Sequence, residues 1–264
     1  MAEGKPAAGR HVTEYELRQE MVRVGRLLWE RGYVAATDGN LSARLGTDRL
    51  LVTPSGVSKG FLSERDVVVM SLEGEGQARG PSSAGGRGGR PSSEILMHLE
   101  VYRQRPDVRA VVHAHPPVAV AFSIAGVSLA RCVLPEVIVT LGGIPTTEYA
   151  TPGTPEVAES IRQALRCYDA LVLAHHGSLT VGKSLWDAYL LLEKVEQTAQ
   201  ITLAAQQLGR VHTLSPEAVQ RLEAKRAEML QREGRNLCEG CSACILGGAP
   251  KQALSVLDTR SERP

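Results

Sequence analysis

Residues 108–117 read VRAVVHAHPP, and the fold and chemistry of the chain can be worked outward from them. The run predicts a strand over 108–115. His113 and His115 are two apart in it, so their side chains leave the same face. The pair Pro116-Pro117 ends the strand and exposes that edge. Two imidazoles placed in this way can share one ion. A histidine pair of this kind is more often packed or exposed without a metal, so a second stretch has to decide. Residues 169–175, DALVLAH, form an unbroken apolar run that predicts a strand buried on both faces. It leads into His175-His176-Gly177, which can supply a third nitrogen. Three histidines with a vacant fourth position describe a catalytic zinc centre more closely than a structural one.

Away from these strands the pattern alternates. Thr13 and Glu16 form a capping box ahead of Leu17, Met21, Val24 and Leu28, predicting a helix to about Gly32. Short strand-like runs follow, ending at 50–53 and 67–71, with turns rich in Gly, Asn, Pro and Ser between them. Residues 74–90 carry almost no apolar side chain and predict a flexible surface loop. Pro91-Ser92-Ser93-Glu94 opens a helix through Ile95, Leu99 and Tyr102 that stops before Pro106, with a serine as its cap. Thr154-Pro155 opens another helix. Leu185, Tyr189, Leu192, Val195, Ala199 and Leu203 mark one face of a long helix, and Ser215-Pro216 begins a charged one. Helices alternating with strands give an α/β class. Several connections are too short for a crossover helix, so the sheet is expected to be mixed and mostly antiparallel, in a three-layer α/β/α arrangement. The expected organisation is a tail over 1–12, a main domain over 13–210, and a C-terminal helix with a cysteine-containing tail over 211–264.

Composition narrows the function classes. Of 264 residues 43% are hydrophobic and 22% charged, which allows a sizeable core and excludes a membrane protein. The formal charge of +1 gives no broad basic face for nucleic acid, although anionic small molecules remain suitable partners. The start of the chain lacks the apolar stretch of a secretory signal, and five cysteines are an odd number. Both point to a reducing, cytoplasmic location. Cys132 and Cys167 lie in apolar surroundings and are expected to be inert core thiols. Cys238, Cys241 and Cys244, spaced C-x2-C-x2-C, could bind zinc or part of an iron–sulfur cluster, but lack a fourth cysteine; the expectation is a mobile tail with free thiols.

Three further segments suit an anion. TDGNLS at 37–42 and TPSG at 53–56 are hydroxyl-rich turns able to direct amides and side-chain donors to one spot. Ser92 and Ser93 add hydroxyls at a helix N-terminus.

Together, TDGNLS, TPSG, PSSE, VVHAHP and LAHHG, in this order over about residues 13–205, resemble the class II aldolase/adducin family, and within it the fuculose-phosphate aldolases. The resemblance implies that His113, His115 and His176 hold one zinc ion per subunit, and that His175 does not bind it. Glu94 matches the family's acid/base carboxyl, while Gly39, Asn40, Ser55, Gly56, Ser92 and Ser93 match its phosphate pocket. The implied reaction cleaves a ketose 1-phosphate to dihydroxyacetone phosphate and an aldehyde. Zinc would stabilise the charge left after cleavage, and Glu94 would exchange the proton. The family's aldolases are usually homotetramers with active sites between subunits. Glu136, in CVLPEVIV, departs from the aldolase pattern and is similar to the catalytic acid/base of related sugar-phosphate dehydratases. Dehydratase and epimerase chemistry therefore stay open, as does a non-catalytic module of the adducin kind.

Overall fold

A computed structural model describes residues 12–74 and 89–235. Most of the expected N-terminal tail and of the 74–90 loop, and Cys238, Cys241 and Cys244, lie outside the described residues. Among the described residues the α-helices and strands follow in the order α1 (Glu14–Glu30), β1 (Asn40–Leu45), β2 (Arg49–Val52), β3 (Val68–Ser71), α2 (Ile95–Gln104), β4 (Ala110–Ala114), α3 (Pro117–Ile124), α4 (Pro135–Thr140), α5 (Pro155–Leu165), β5 (Ala170–Leu173), β6 (Gly177–Gly182), α6 (Leu185–Leu208) and α7 (Pro216–Arg232), with a short 3-10 turn at Lys59–Phe61.

The strands form one sheet in the order β3-β2-β1-β4-β6-β5, with every neighbouring pair antiparallel. Alternation along each strand sends side chains to two opposite faces. Leu41, Ala43, Ala110, Val112 and Ala114 pack with Met21, Val24 and Leu28 of α1 and Leu185, Ala188 and Leu192 of α6. On the other face, Val52, Val111, Leu171, Leu179 and Val181 meet Leu99 and Tyr102 of α2 and Ile161 and Leu165 of α5. The result is the three-layer arrangement expected from the alternation. Across the middle of the sheet Asn40 pairs with His113, and His113 with Leu179.

The capping box at Thr13 and Glu16 is present, with the Thr13 hydroxyl accepting from the Glu16 amide. Other expectations need correction. The segment 37–42 is a turn only in its first half, because Asn40 already begins β1. The strand β6, GSLTVG, was hidden by its terminal glycines, and it forms a hairpin with β5 through only three residues. No serine caps α2. Glu94 occupies its N-cap position without a side-chain cap bond, and the Ser92 hydroxyl accepts from the Glu94 amide at 3.3 Å. Cys132 and Cys167 are disulfide-bonded rather than free core thiols. Sulfur proximity is set by tertiary packing, which cysteine spacing does not encode, so cysteine usage no longer argues for a reducing compartment. Among the described residues no helix is long and apolar enough to cross a membrane.

Candidate active site

His113 lies in β4, on the face covered by α2 and α5, and is fully buried. His115 follows one residue beyond the strand and keeps the same side. His176 comes from the tight β5–β6 turn, where His175 adopts the left-handed conformation with φ 57°. That unusual backbone turns His175 out to solvent and His176 inward. Gly177 then lets the turn approach β4: a Cβ there would stand 2.6 Å from the Ala114 carbonyl oxygen and 2.7 Å from His115 Cδ2. The HHG pattern thus has one reason for each of its letters.

The three rings lie with centroids 4.8 to 5.1 Å apart, and one nitrogen from each falls within 4.8 Å of the others. His113 Nδ1 is 2.8 Å from the Ser178 carbonyl oxygen, which can only accept. His113 therefore carries its proton on Nδ1, and Nε2 presents a lone pair to the cluster. That lone pair faces His115 Nε2 at 3.1 Å and Glu94 Oε2 at 3.2 Å. Glu94 Oε1 is 3.0 Å from His176 Nε2, yet is buried and takes part in no hydrogen bond. One fixed lone pair, two further ring nitrogens and a carboxylate converge here with Asn40 Nδ2 as the assigned donor, an arrangement that a cation among them would stabilise. Burial, with the neighbouring His113 and His176, holds His115 down to about 3, so it is available as a neutral ligand. The donor set fits a divalent metal; nitrogen ligands of this kind accept zinc, manganese, iron or cobalt.

The anion elements are drawn together by specific bonds. The Ser55 amide donates to the Arg90 carbonyl at 3.0 Å, and Pro54 bridges to Pro91, which joins TPSG to PSSE. Buried Lys59 donates to the Thr37 carbonyl at 2.8 Å and the Val57 carbonyl at 2.7 Å, which joins TDGN to TPSG. Burial pulls the Lys59 ammonium down to about 8, with Asp38 and Glu94 opposing it. This lysine was missed in the sequence, where it sits among turn residues with no pattern to single it out. Gly39, with φ 71°, lies so near His113 that a Cβ would meet its carbonyl oxygen at 2.9 Å. Asn40 does not stand free for an anion, since its Nδ2 donates to Glu94 Oε2 at 2.8 Å and its Oδ1 faces His98. Glu136 is exposed in the first turn of α4 and outside the histidine cluster.

Comparison with known proteins bears on this geometry. Residues 19–203 match the family model described as the class II aldolase and adducin N-terminal domain. The chain is 34% identical to L-fuculose phosphate aldolase of Methanococcus maripaludis over 69% of its own length and 93% of that protein. It is 32% identical to 3-oxo-tetronate 4-phosphate decarboxylase of Escherichia coli, over 71% of its length and 86% of that protein. Its fold matches the crystal structure of Klebsiella pneumoniae YgbL, described as an aldolase/epimerase/decarboxylase, with TM-score 0.71 and 31% identity over 80% of this chain and 100% of that one.

Proposed function

The chain belongs to the class II aldolase and adducin family, and from that premise we propose that it is a zinc-dependent aldolase cleaving a ketose 1-phosphate to dihydroxyacetone phosphate and an aldehyde. The observation that carries the reading is the convergence of His113, His115 and His176 on the Glu94 carboxylate. A divalent ion there supplies Lewis-acid polarisation of the ketose oxygens and neutralises charge left after carbon–carbon cleavage. The three histidines would hold it. Glu94, placed beside it, would exchange the proton at the carbon from which the aldehyde departs, having first taken it up from the substrate hydroxyl that becomes the aldehyde carbonyl. The Gly39 and Gly56 backbone and the hydroxyls of Ser55, Ser92 and Ser93 would receive the phosphate, with the Lys59 charge close behind. Asn40 contributes to that pocket only through whatever its amide has left after holding Glu94. The exposed position of Glu136 suits a site completed between subunits of a homotetramer, where this residue would act at the aldehyde end.

A second reading, decarboxylation of a phosphorylated 3-oxo acid, is favoured by the Escherichia coli relative. It asks the same of the metal ligands, because carbon dioxide merely replaces the aldehyde as leaving fragment.

The deciding experiment incubates zinc-loaded protein with a panel of ketose 1-phosphates and with 3-oxo-tetronate 4-phosphate. Dihydroxyacetone phosphate, lost on chelation and in Glu94→Gln, is the expected product. Carbon dioxide without it would transfer the assignment to the second reading, and a product that is only dehydrated or epimerised would overturn both. Absence of stoichiometric metal in purified protein would point to a non-catalytic module.

A further inference from the structure

Glu94, His98 and Tyr102 are spaced by four and form one ridge from the N-cap along α2. Asn40, Ser42 and Arg44 alternate along β1 and share the sheet face that this ridge covers. The two rows are laced by hydrogen bonds. Tyr102 Oη is 2.9 Å from Ser42 Oγ, and Ser42 Oγ is 2.6 Å from His98 Nδ1. His98 Nε2 bonds Asn40 Oδ1, and Asn40 Nδ2 donates to Glu94 Oε2. Ser42, His98, Tyr102 and Asn40 are 0%, 1%, 2% and 3% exposed, so water offers no alternative partners.

Chemistry gives the chain one direction. A carboxylate only accepts, so Asn40 must turn Nδ2 toward Glu94 and Oδ1 toward His98. An amide oxygen also only accepts, so His98 must carry its proton on Nε2. A neutral ring then has a lone pair on Nδ1, which accepts from the Ser42 hydroxyl, and Ser42 in turn accepts from Tyr102. Every hydrogen bond of the row then has one donor and one acceptor. With the proton on Nδ1 instead, two acceptors would face each other at Asn40.

We propose that His98 is a positioning residue: donating from Nε2, it pins the Asn40 amide so that Nδ2 holds the Glu94 carboxylate at the histidine cluster. The consequence for the reaction rests on the reading of Glu94 as the acid/base group, whereas the orientation itself does not. A packing role alone would be filled equally well by an aromatic hydrocarbon.

The first measurement is nitrogen NMR of the full chain labelled at its 7 histidines, with His98 assigned by its disappearance in His98→Gln. His98 should show a protonated Nε2 and a bare Nδ1, unchanged from about pH 8 to about pH 5, where an ordinary histidine titrates. An Nδ1-protonated ring, or an imidazolium in that range, would overturn the proposal even if the enzyme proved to be an aldolase. In kinetics, His98→Phe should lower kcat by about 100-fold, as expected for a misplaced reacting group, with KM and metal stoichiometry unchanged. His98→Gln can still donate to Asn40 and accept from Ser42, and should recover part of the loss. Raised KM at unchanged kcat would instead make the row part of the phosphate pocket, and a folded, metal-loaded His98→Gln no better than His98→Phe would also refute the role. If the wild-type chain cleaves no ketose phosphate, the aldolase reading fails, and the tautomer still decides the relay.

Discussion

Gly177 lies so close to His113 that a β-carbon in its place would stand 2.9 Å from the imidazole Cε1. The same atom would be nearer still to the Ala114 carbonyl, which is backbone and cannot swing away. Gly177→Ala should therefore displace the β5–β6 turn from β4. Overpacking of this kind costs about 1–3 kcal/mol. We expect a lower melting temperature and, on metal analysis, a loss of bound ion larger than the loss of fold. Full metal retention would show that the turn has room to spare.

Glu94→Gln keeps the shape of the side chain and removes its charge. Loss of a positioned acid/base group lowers turnover by about 10²–10⁴-fold. The three imidazoles are untouched, so metal stoichiometry should stay at one per chain while kcat collapses. Equal loss of metal and activity would instead make the carboxylate a ligand whose removal empties the site.

Chelation should lower stability as well as activity. An ion that binds only the folded chain contributes about 2.7 kcal/mol at a free concentration 100 times its Kd. The shift in melting temperature on adding zinc to chelated protein measures it, and a shift of zero would mean that the histidines hold nothing.

The sequence disclosed the clustered histidines more readily than their supports. His113 and His115 could be seen because a strand has a period of two, and the chain returns to them through a second buried run ending in His176. Asn40, His98 and Lys59 are different. Asn40 is close to Glu94 only because β1 pairs with β4 and α2 lies across both, and no local pattern encodes that meeting. The E-x3-H-x3-Y spacing of α2 and the N-x-S spacing of β1 were both present, but each is an ordinary helix or strand repeat until the two are placed face to face. The strand β6 went unseen for a related reason: its short, small residues are permitted by burial in the sheet centre, whereas in isolation they read as a turn.

Stability in acid should report on His98. Burial, opposed by Glu94, holds its ring down to about 3 from 6.5. As pH falls below 6.5 the unfolded chain takes up a proton that the folded chain refuses. The contribution is complete above that pH and is lost as pH falls toward the folded value, at about 1.4 kcal/mol per pH unit. Urea unfolding at about pH 7 and about pH 5 should show a slope reduced by one proton in His98→Gln. An unchanged slope would mean that His98 is protonated in the folded chain.

Arg105 is held by Asp107 at 2.8 Å and Asp169 at 2.9 Å, and Arg235 donates to both Asp169 oxygens. Asp169→Ala leaves two guanidinium groups short of a partner beneath the α7 end. Breaking such a buried pair costs about 3–5 kcal/mol, and the exposure of Arg235 places the expected value at the lower end. The variant should unfold at lower urea with metal stoichiometry intact, since the histidines are elsewhere; loss of metal would contradict this separation.

The pairing of Asn40 with His113, and of His113 with Leu179, has a bearing on how errors in folding would be noticed. Slippage of β4 by a single residue against its neighbours would turn His113, and with it His115 just beyond the strand end, toward α1 and α6. A chain trapped in that state could bury nearly as much hydrocarbon and still be unable to capture the ion. Uptake of metal would thus double as an internal proofreading step, distinguishing the correctly threaded sheet from its near misses.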